Sequence, residues 1–222
     1  MKTCIQLVLA AVALLCIPGP SALLGQQGTL LVGIGANGSF YTGDLESSGN
    51  LQRVYPGGQL SIQSVKKSWF RISAEAGFGK YAAQGSVADV PADVKPEGFV
   101  LAPYVFVDLK ANFILLRNNP VEPYIAVGAG VFNFNPQDAL GDPLVENPIT
   151  RLPEEIYNTS IFSLPLSAGV RFRIHKYMGL GAEYSYRLTP TDYLDNVGML
   201  GRRDGADRLQ ALSLSMYFYL AN

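Results

Sequence analysis

The sequence predicts an all-β fold: a closed eight-stranded antiparallel transmembrane β-barrel with short periplasmic turns and four long extracellular loops. Three observations predict it. Eight segments alternate apolar and polar residues with a period of two, and each has the reach of a tilted strand across a bilayer. The connections between them alternate long and short. Within the segments one parity is aliphatic and aromatic, while the other is rich in charge, Gly and Ser.

The chain opens with Lys2, an apolar run from Leu7 to Ile17 and the breakers Pro18, Gly19 and Pro20, the pattern of an export signal. The run is too short to cross a bilayer as a helix. Residues 1–25 are therefore expected to be a signal peptide cleaved near Gly25/Gln26, leaving residues 26–222 as one outer-membrane β-barrel domain. Cys16 raises lipid attachment as an alternative, but Leu15 stands where that chemistry needs a small residue. The only 2 cysteines, Cys4 and Cys16, fall in this segment, so the mature chain offers no disulfide, thiolate or Cys-based metal site. Without Lys2 the 17 basic residues become 16 against 18 acidic ones, a net charge of −2 with no basic block, which argues against a nucleic-acid partner.

The expected strands run Thr29 to Tyr41, Gly57 to Val65, Trp69 to Tyr81, Phe99 to Leu115, Val121 to Phe134, Ser160 to Ile174, Met178 to Leu188, and Arg208 to Leu220. Long connections follow the first, third, fifth and seventh. They carry turn formers such as Gly43, Gly49 and Asn50, then Pro91 and Pro96, then Pro136, Gly141 and Pro143, then Pro190 and Gly198. The intervening connections, Lys66 to Ser68, Leu116 to Pro120 and His175 to Tyr177, are tight. Sorting the long loops to one end is what an outer-membrane barrel shows, and an even strand number brings both termini to the other end.

Parity separates a membrane barrel from a soluble one. In the fourth segment Leu101, Val105, Val107, Leu109, Ala111 and Phe113 share one face, and Tyr104, Asp108, Lys110 and Asn112 the other. The third sets Phe70, Ile72 and Phe78 against Arg71, Ser73 and Glu75. The sixth sets Phe162, Leu164 and Leu166 against Ser163, Ser167, Arg171 and Arg173. The seventh sets Leu180, Tyr184 and Tyr186 against Glu183 and Arg187, and the eighth sets Leu212, Leu214 and Met216 against Ser213, Ser215 and Tyr217.

The Gly- and Ser-dense polar face suits the narrow inside of a small barrel. A soluble barrel or sandwich with its apolar face buried is the alternative. The inward charges nearly balance: Arg71, Lys110, Arg171, Arg173 and Arg187 against Glu75, Asp108, Glu122 and Glu183. They are expected to form a network that plugs the lumen, with Arg171 and Arg173 meeting Glu75 and Glu183. Aromatics near the strand ends, Phe40 with Tyr41, Trp69 with Phe70, Tyr184 with Tyr186, and Tyr217 to Tyr219, read either as interfacial girdles or as strand-favouring residues.

Chemistry is sparse. The 1 histidine, His175, sits in a predicted short turn, away from any serine in the long loops. Carboxylate pairs occur at Glu154 and Glu155, Asp192 and Asp195, and Asp204 and Asp207, and read as solvated loop charges. Gly33, Gly35 and Gly38 spell a dinucleotide fingerprint but lie within one strand with no helix after them, so they read as curvature glycines. No cofactor, metal or small-molecule substrate is expected.

Two motifs at loop edges remain. Tyr41-Thr42-Gly43-Asp44-Leu45 follows the first strand, and Thr191-Asp192-Tyr193-Leu194-Asp195-Asn196-Val197 follows the seventh. Together, with Pro123-Tyr124-Ile125-Ala126-Val127-Gly128 in support, they resemble a family of small outer-membrane barrels of Bacteroidota that includes PorG, associated with type IX secretion. The resemblance implies a non-enzymatic envelope protein whose partners are outer-membrane lipid and proteins of an envelope or secretion complex. It carries no catalytic residues. Gly43 and Asp44 suit a turn leaving the strand, and Asp192, Tyr193 and Asp195 suit ordering of the last loop, the two motifs facing each other at the rim. A soluble periplasmic ligand-binding barrel and a small-barrel enzyme are the competing functions.

Overall fold

A computed structural model describes residues 29–45, 53–65, 69–86, 97–116, 119–145, 154–198 and 207–220. The expected signal segment, Gly49, Asn50, Pro91, Pro96 and Asp204 lie outside the described residues. The described residues form strands β1 (Thr29–Thr42), β2 (Tyr55–Val65), β3 (Phe70–Ser86), β4 (Glu97–Ile114), β5 (Val121–Phe134), β6 (Ser160–His175), β7 (Met178–Leu188) and β8 (Arg208–Leu220). Each pairs antiparallel with its sequence neighbours. β1 also pairs with β8, from Leu30 opposite Leu220 to Thr42 opposite Arg208, which closes the barrel. Closure leaves no unpaired sheet edge among the strands.

The strand positions follow the sequence periodicity closely, with one departure. β3 and β4 run on past Tyr81 and start before Phe99, pairing out to Ser86 opposite Glu97. This hairpin stands above its neighbours because its inner face still has work to do: Tyr81, Ala83, Val100 and Ala102 are buried there against loop residues. The apparent loop signals Ala82 to Ser86 thus belong to a strand held by packing rather than by propensity.

The outward face is apolar around the wall. Ile34, Leu60, Ile72, Phe78, Leu109, Phe162 and Leu214 are all half or more exposed, from 50% at Ile72 to 66% at Leu214. At the short-turn end Trp69, Phe70 and Phe113 form an outward cluster with ring centroids 5.6–6.0 Å apart. Tyr41, Tyr217 and Tyr219 are buried in the lumen, where odd parity on β1 and β8 sends them, and so are not girdle residues.

The interior has two zones. Toward the short turns and the middle it is charged. Toward the long loops it becomes an apolar cluster of Tyr41, Tyr81, Tyr104, Phe106, Phe132 and Phe134 with others, closed from above by Leu45, Leu144, Leu194 and Val197. Gly33 of β1 and Gly181 of β7 flank Tyr217: a Cβ at Gly33 would sit 2.7 Å from its ring, and one at Gly181 2.5 Å. These glycines make room for an inward ring, rather than serving curvature alone.

Candidate functional site

Two constellations stand out, one in the lumen and one at its long-loop mouth. In the lumen, register places Glu75 of β3 directly opposite Asp108 of β4, two like charges side by side. Such a pair is unfavourable unless each finds a cation. Lys110 takes Glu75 at 3.0 Å and also Glu183 of β7 at 2.8 Å. Arg187 of β7 takes Asp108 with both terminal nitrogens, at 2.9 and 2.6 Å, and reaches Ser163 at 2.7 Å. Its guanidinium lies over Phe106 and Phe132, 4.6 and 5.2 Å from the ring centroids. Nearer the short turns Arg71 grips Glu122 in a two-pronged bond of 2.9 and 3.0 Å.

Arg171 and Arg173 depart from the expected pairing with Glu75 and Glu183. Lys110 already holds both carboxylates. Arg171 is buried, bonds the Gln63 side-chain oxygen and stacks on Tyr124 at 4.2 Å. The Tyr124 hydroxyl in turn donates to Glu183 at 2.7 Å, so Arg171 joins the network through a ring. Arg173 is exposed and covers Tyr219 at 4.2 Å. A cavity of about 20 Å³ in this zone is lined by Glu75, Tyr104, Lys110 and Arg187 among others, room for about one water.

At the mouth the two rim motifs meet. The Tyr41 hydroxyl lies between two carboxylates, 2.8 Å from Asp195 Oδ2 and hydrogen-bonded also with Asp207 Oδ1. Asp195 accepts the backbone N–H of Leu45 at 3.1 Å and of Val197 at 2.9 Å. Asp207 accepts the N–H of Leu194 at 2.8 Å, and Tyr81 donates to the Leu194 carbonyl at 2.7 Å. The β7–β8 loop is thus tied to β1, β3 and the β1–β2 loop. Asn196 turns the loop with φ 63, a left-handed conformation that Asn tolerates better than most residues, and its side chain accepts the Tyr157 hydroxyl at 2.7 Å. Tyr193 stacks flat on Tyr157, centroids 4.7 Å apart. Gly43 is required by crowding: a Cβ there would collide with the Tyr41 hydroxyl and Asp207 Oδ1.

Burial pushes the Asp195 carboxyl up to about 7, against the bonds from Val197, Tyr41 and Leu45. Burial and the neighbouring Asp195 charge push Asp207 well above the usual carboxylate range. Asp192, half-buried beside Asp44, is raised to about 6 by burial and then by that charge. Asp207 and Asp195 are therefore not the solvated loop charges that sequence suggests; both are fully buried. The signal that finds Asp207 is closure itself, since β1–β8 pairing sets Tyr41 opposite Leu209. His175 is exposed at the end of β6 beside Tyr177, away from this site. Among the described residues no group of three or more acidic, His or Cys side chains is arranged to hold a metal.

No protein-family model and no curated protein matches the chain. Solved structures do. The attachment invasion locus protein Ail of Yersinia pestis, in complex with the heparin analogue sucrose octasulfate, is similar at 15% identity over 88% of this chain and 100% of that one, with a TM-score of 0.51. Neisserial surface protein A is similar at 13% identity over 85% of this chain and 96% of that one, with a TM-score of 0.53. At these identities the likeness is one of fold: a closed eight-stranded antiparallel barrel.

Proposed function

We propose that this chain is a non-enzymatic outer-membrane protein, exported by the signal segment of residues 1–25, that presents its four long loops outside the cell as a structural or interaction platform. The single observation that carries the reading is the inversion of polarity across a closed wall. Ile34, Leu60, Leu109, Phe162 and Leu214 point out while Glu75, Asp108, Lys110, Glu183 and Arg187 point in. A protein dissolved in water rarely exposes a contiguous apolar surface of this extent, whereas hydrocarbon requires both the apolar exterior and the closed hydrogen bonding. The same inversion argues against a soluble ligand-binding barrel, whose outer face would be polar.

The loops carry the interaction role in this reading. Leu140 and Ile156 on the β5–β6 connection are 88% and 93% exposed, and Asp138 holds the turn that carries Leu140 by accepting the N–H groups of Leu140 and Asp142 at 2.9 Å each. An aliphatic side chain displayed on a fixed turn suits a protein partner. The partner class implied by the resemblance to PorG-type barrels is a component of type IX secretion.

Cell fractionation with boiled and unboiled envelope samples run side by side tests the location. A heat-shifted band in the outer membrane is expected, and a soluble periplasmic band without a shift would overturn the reading. Crosslinking from position 140 or 156 in the native host then tests the platform, with capture of secretion components as the expected product.

A further inference from the structure

The hydrogen-bond geometry at the mouth requires one more proton than ionised carboxylates supply. A phenol has a single hydrogen, yet the Tyr41 oxygen is within bonding distance of Asp195 Oδ2 and of Asp207 Oδ1. One of the two carboxyl groups must donate. Asp195 already accepts from Leu45, Val197 and Tyr41, the surroundings of an anion. Among the described residues Asp207 accepts one backbone N–H, on Oδ2, and its Oδ1 faces the phenol. The hydrogen therefore belongs on Asp207 Oδ1, giving a chain in which Asp207 donates to Tyr41 and Tyr41 donates to Asp195.

We propose that this one proton on Asp207 is a latch that holds the β7–β8 loop down over the barrel mouth, and that its loss frees the loop. Leu194 and Val197, the residues that close the apolar cluster from above, hang directly on the two carboxyl groups through their N–H bonds. Without the proton, two fully buried carboxylates face each other across one hydroxyl, and the remedy is for the loop to lift them into water.

Among the described residues, the groups facing the bridge offer no compensating cation. Tyr41 comes from β1, Asp44 from the β1–β2 loop, Tyr81 from β3, and Asp192 from the loop itself. From the β5–β6 connection come Tyr157 and Glu155, the latter lying against Gly198. Arg208, next in the chain, is turned outward toward Tyr186, and Arg187 is taken by Asp108.

The sign follows from linkage. Asp207 holds its proton in the closed state well above the value of a free aspartate, so the closed state binds more protons than the open one. Closure is favoured at low pH and is lost as pH rises from about 4 through the raised value, the opening constant growing about tenfold per pH unit for one proton. Asp195, raised to about 7, and Asp192, raised to about 6, act in the same direction. The latch stands on the hydrogen bonds and burial at the mouth; that it governs an outward platform rests on the membrane reading above.

Amide hydrogen exchange on the full barrel in lipid nanodiscs tests it, read at Leu45, Leu194 and Val197 from about pH 5 to about pH 9 and corrected for intrinsic exchange. The wild type is expected to lose protection at least about tenfold per pH unit within that range. Asp207→Asn, neutral at every pH, should lower the slope by one proton's share and leave those of Asp195 and Asp192, while Asp192→Asn at the edge of the cluster should lower it only below about pH 6. A flat wild type, or an Asp207→Asn variant with the wild-type slope, overturns the latch. If Asp207→Asn does not fold, infrared spectroscopy of wild type with isotope-labelled aspartate decides: a neutral carboxyl band that persists at about pH 8, above the ranges of Asp195 and Asp192, supports the proposal and its absence rejects it. A barrel that fails fractionation yet shows the proton slope would reject the membrane reading and keep the latch.

Discussion

Lys110 is the side chain on which most of the lumen depends. It is buried between Glu75 and Glu183, at 3.0 and 2.8 Å, and Glu75 stands opposite Asp108 in register. Replacing it by Met keeps the volume and leaves two carboxylates without their cation. Removing one partner of a buried pair costs about 3–5 kcal/mol, so Lys110→Met should lower the unfolding free energy by that order in denaturant titration of the folded barrel. A loss below about 1 kcal/mol would show that the pair is solvated. Gly43 makes the complementary case at the mouth. Gly43→Ala brings a methyl group into the Tyr41 hydroxyl and Asp207, and overpacking of this kind costs about 1–3 kcal/mol. The expected result is faster exchange at the Leu45 amide with the barrel strands unchanged; equal exchange would mean that the turn shifts without strain.

At the scale of elements, the eight strands were legible because a closed wall with an apolar outer face and a polar inner one imposes period two along most of each strand, and a one-residue slip would reverse every side chain. Phe162, Leu164 and Leu166 against Ser163, Ser167 and Arg171 left no choice of face. The end of the β3–β4 hairpin was not legible, because Ala82 to Ser86 form strand only through partners distant in sequence. For Tyr217 and Tyr219 the choice between girdle and strand-favouring residue stayed open for a related reason: the inner face takes the Tyr217 ring where glycines on neighbouring strands yield space, as Gly33 and Gly181 do. The rim motifs announced themselves, but Asp207 did not, since its role depends on closure and not on its neighbours in the chain. A strand-level prediction follows from the polarity of β4. Leu109, 60% exposed on the outer face, should tolerate Arg poorly in a bilayer, at about 2–4 kcal/mol near the midplane. Refolding yield and stability of Leu109→Arg in lipid vesicles measure this. A neutral effect would indicate that this face meets water.

For the whole molecule, the two interior zones divide the labour of closing it. The ion-paired zone fills the cross-section with Arg187 between Phe106 and Phe132, Lys110 between two glutamates, and Arg171 on Tyr124. The apolar zone above is roofed by Leu45, Leu144, Leu194 and Val197 from three different loops. An eight-stranded barrel is only wide enough for its own side chains, so the lower zone suffices to block ions whatever the roof does. Opening of the loop latch therefore changes the outer surface without creating a pore. Planar-bilayer recordings test the separation: wild type should show no conductance steps, and replacing residues 192–206 by a short Gly-Ser link should leave the bilayer equally silent while the heat shift on gels persists. Conductance steps in that variant alone would place the seal in the roof, and the latch would then regulate passage through the barrel as well as the surface it presents. Steps in both would mean that the ion pairs at Lys110 and Arg187 part under voltage and that the lumen conducts by itself.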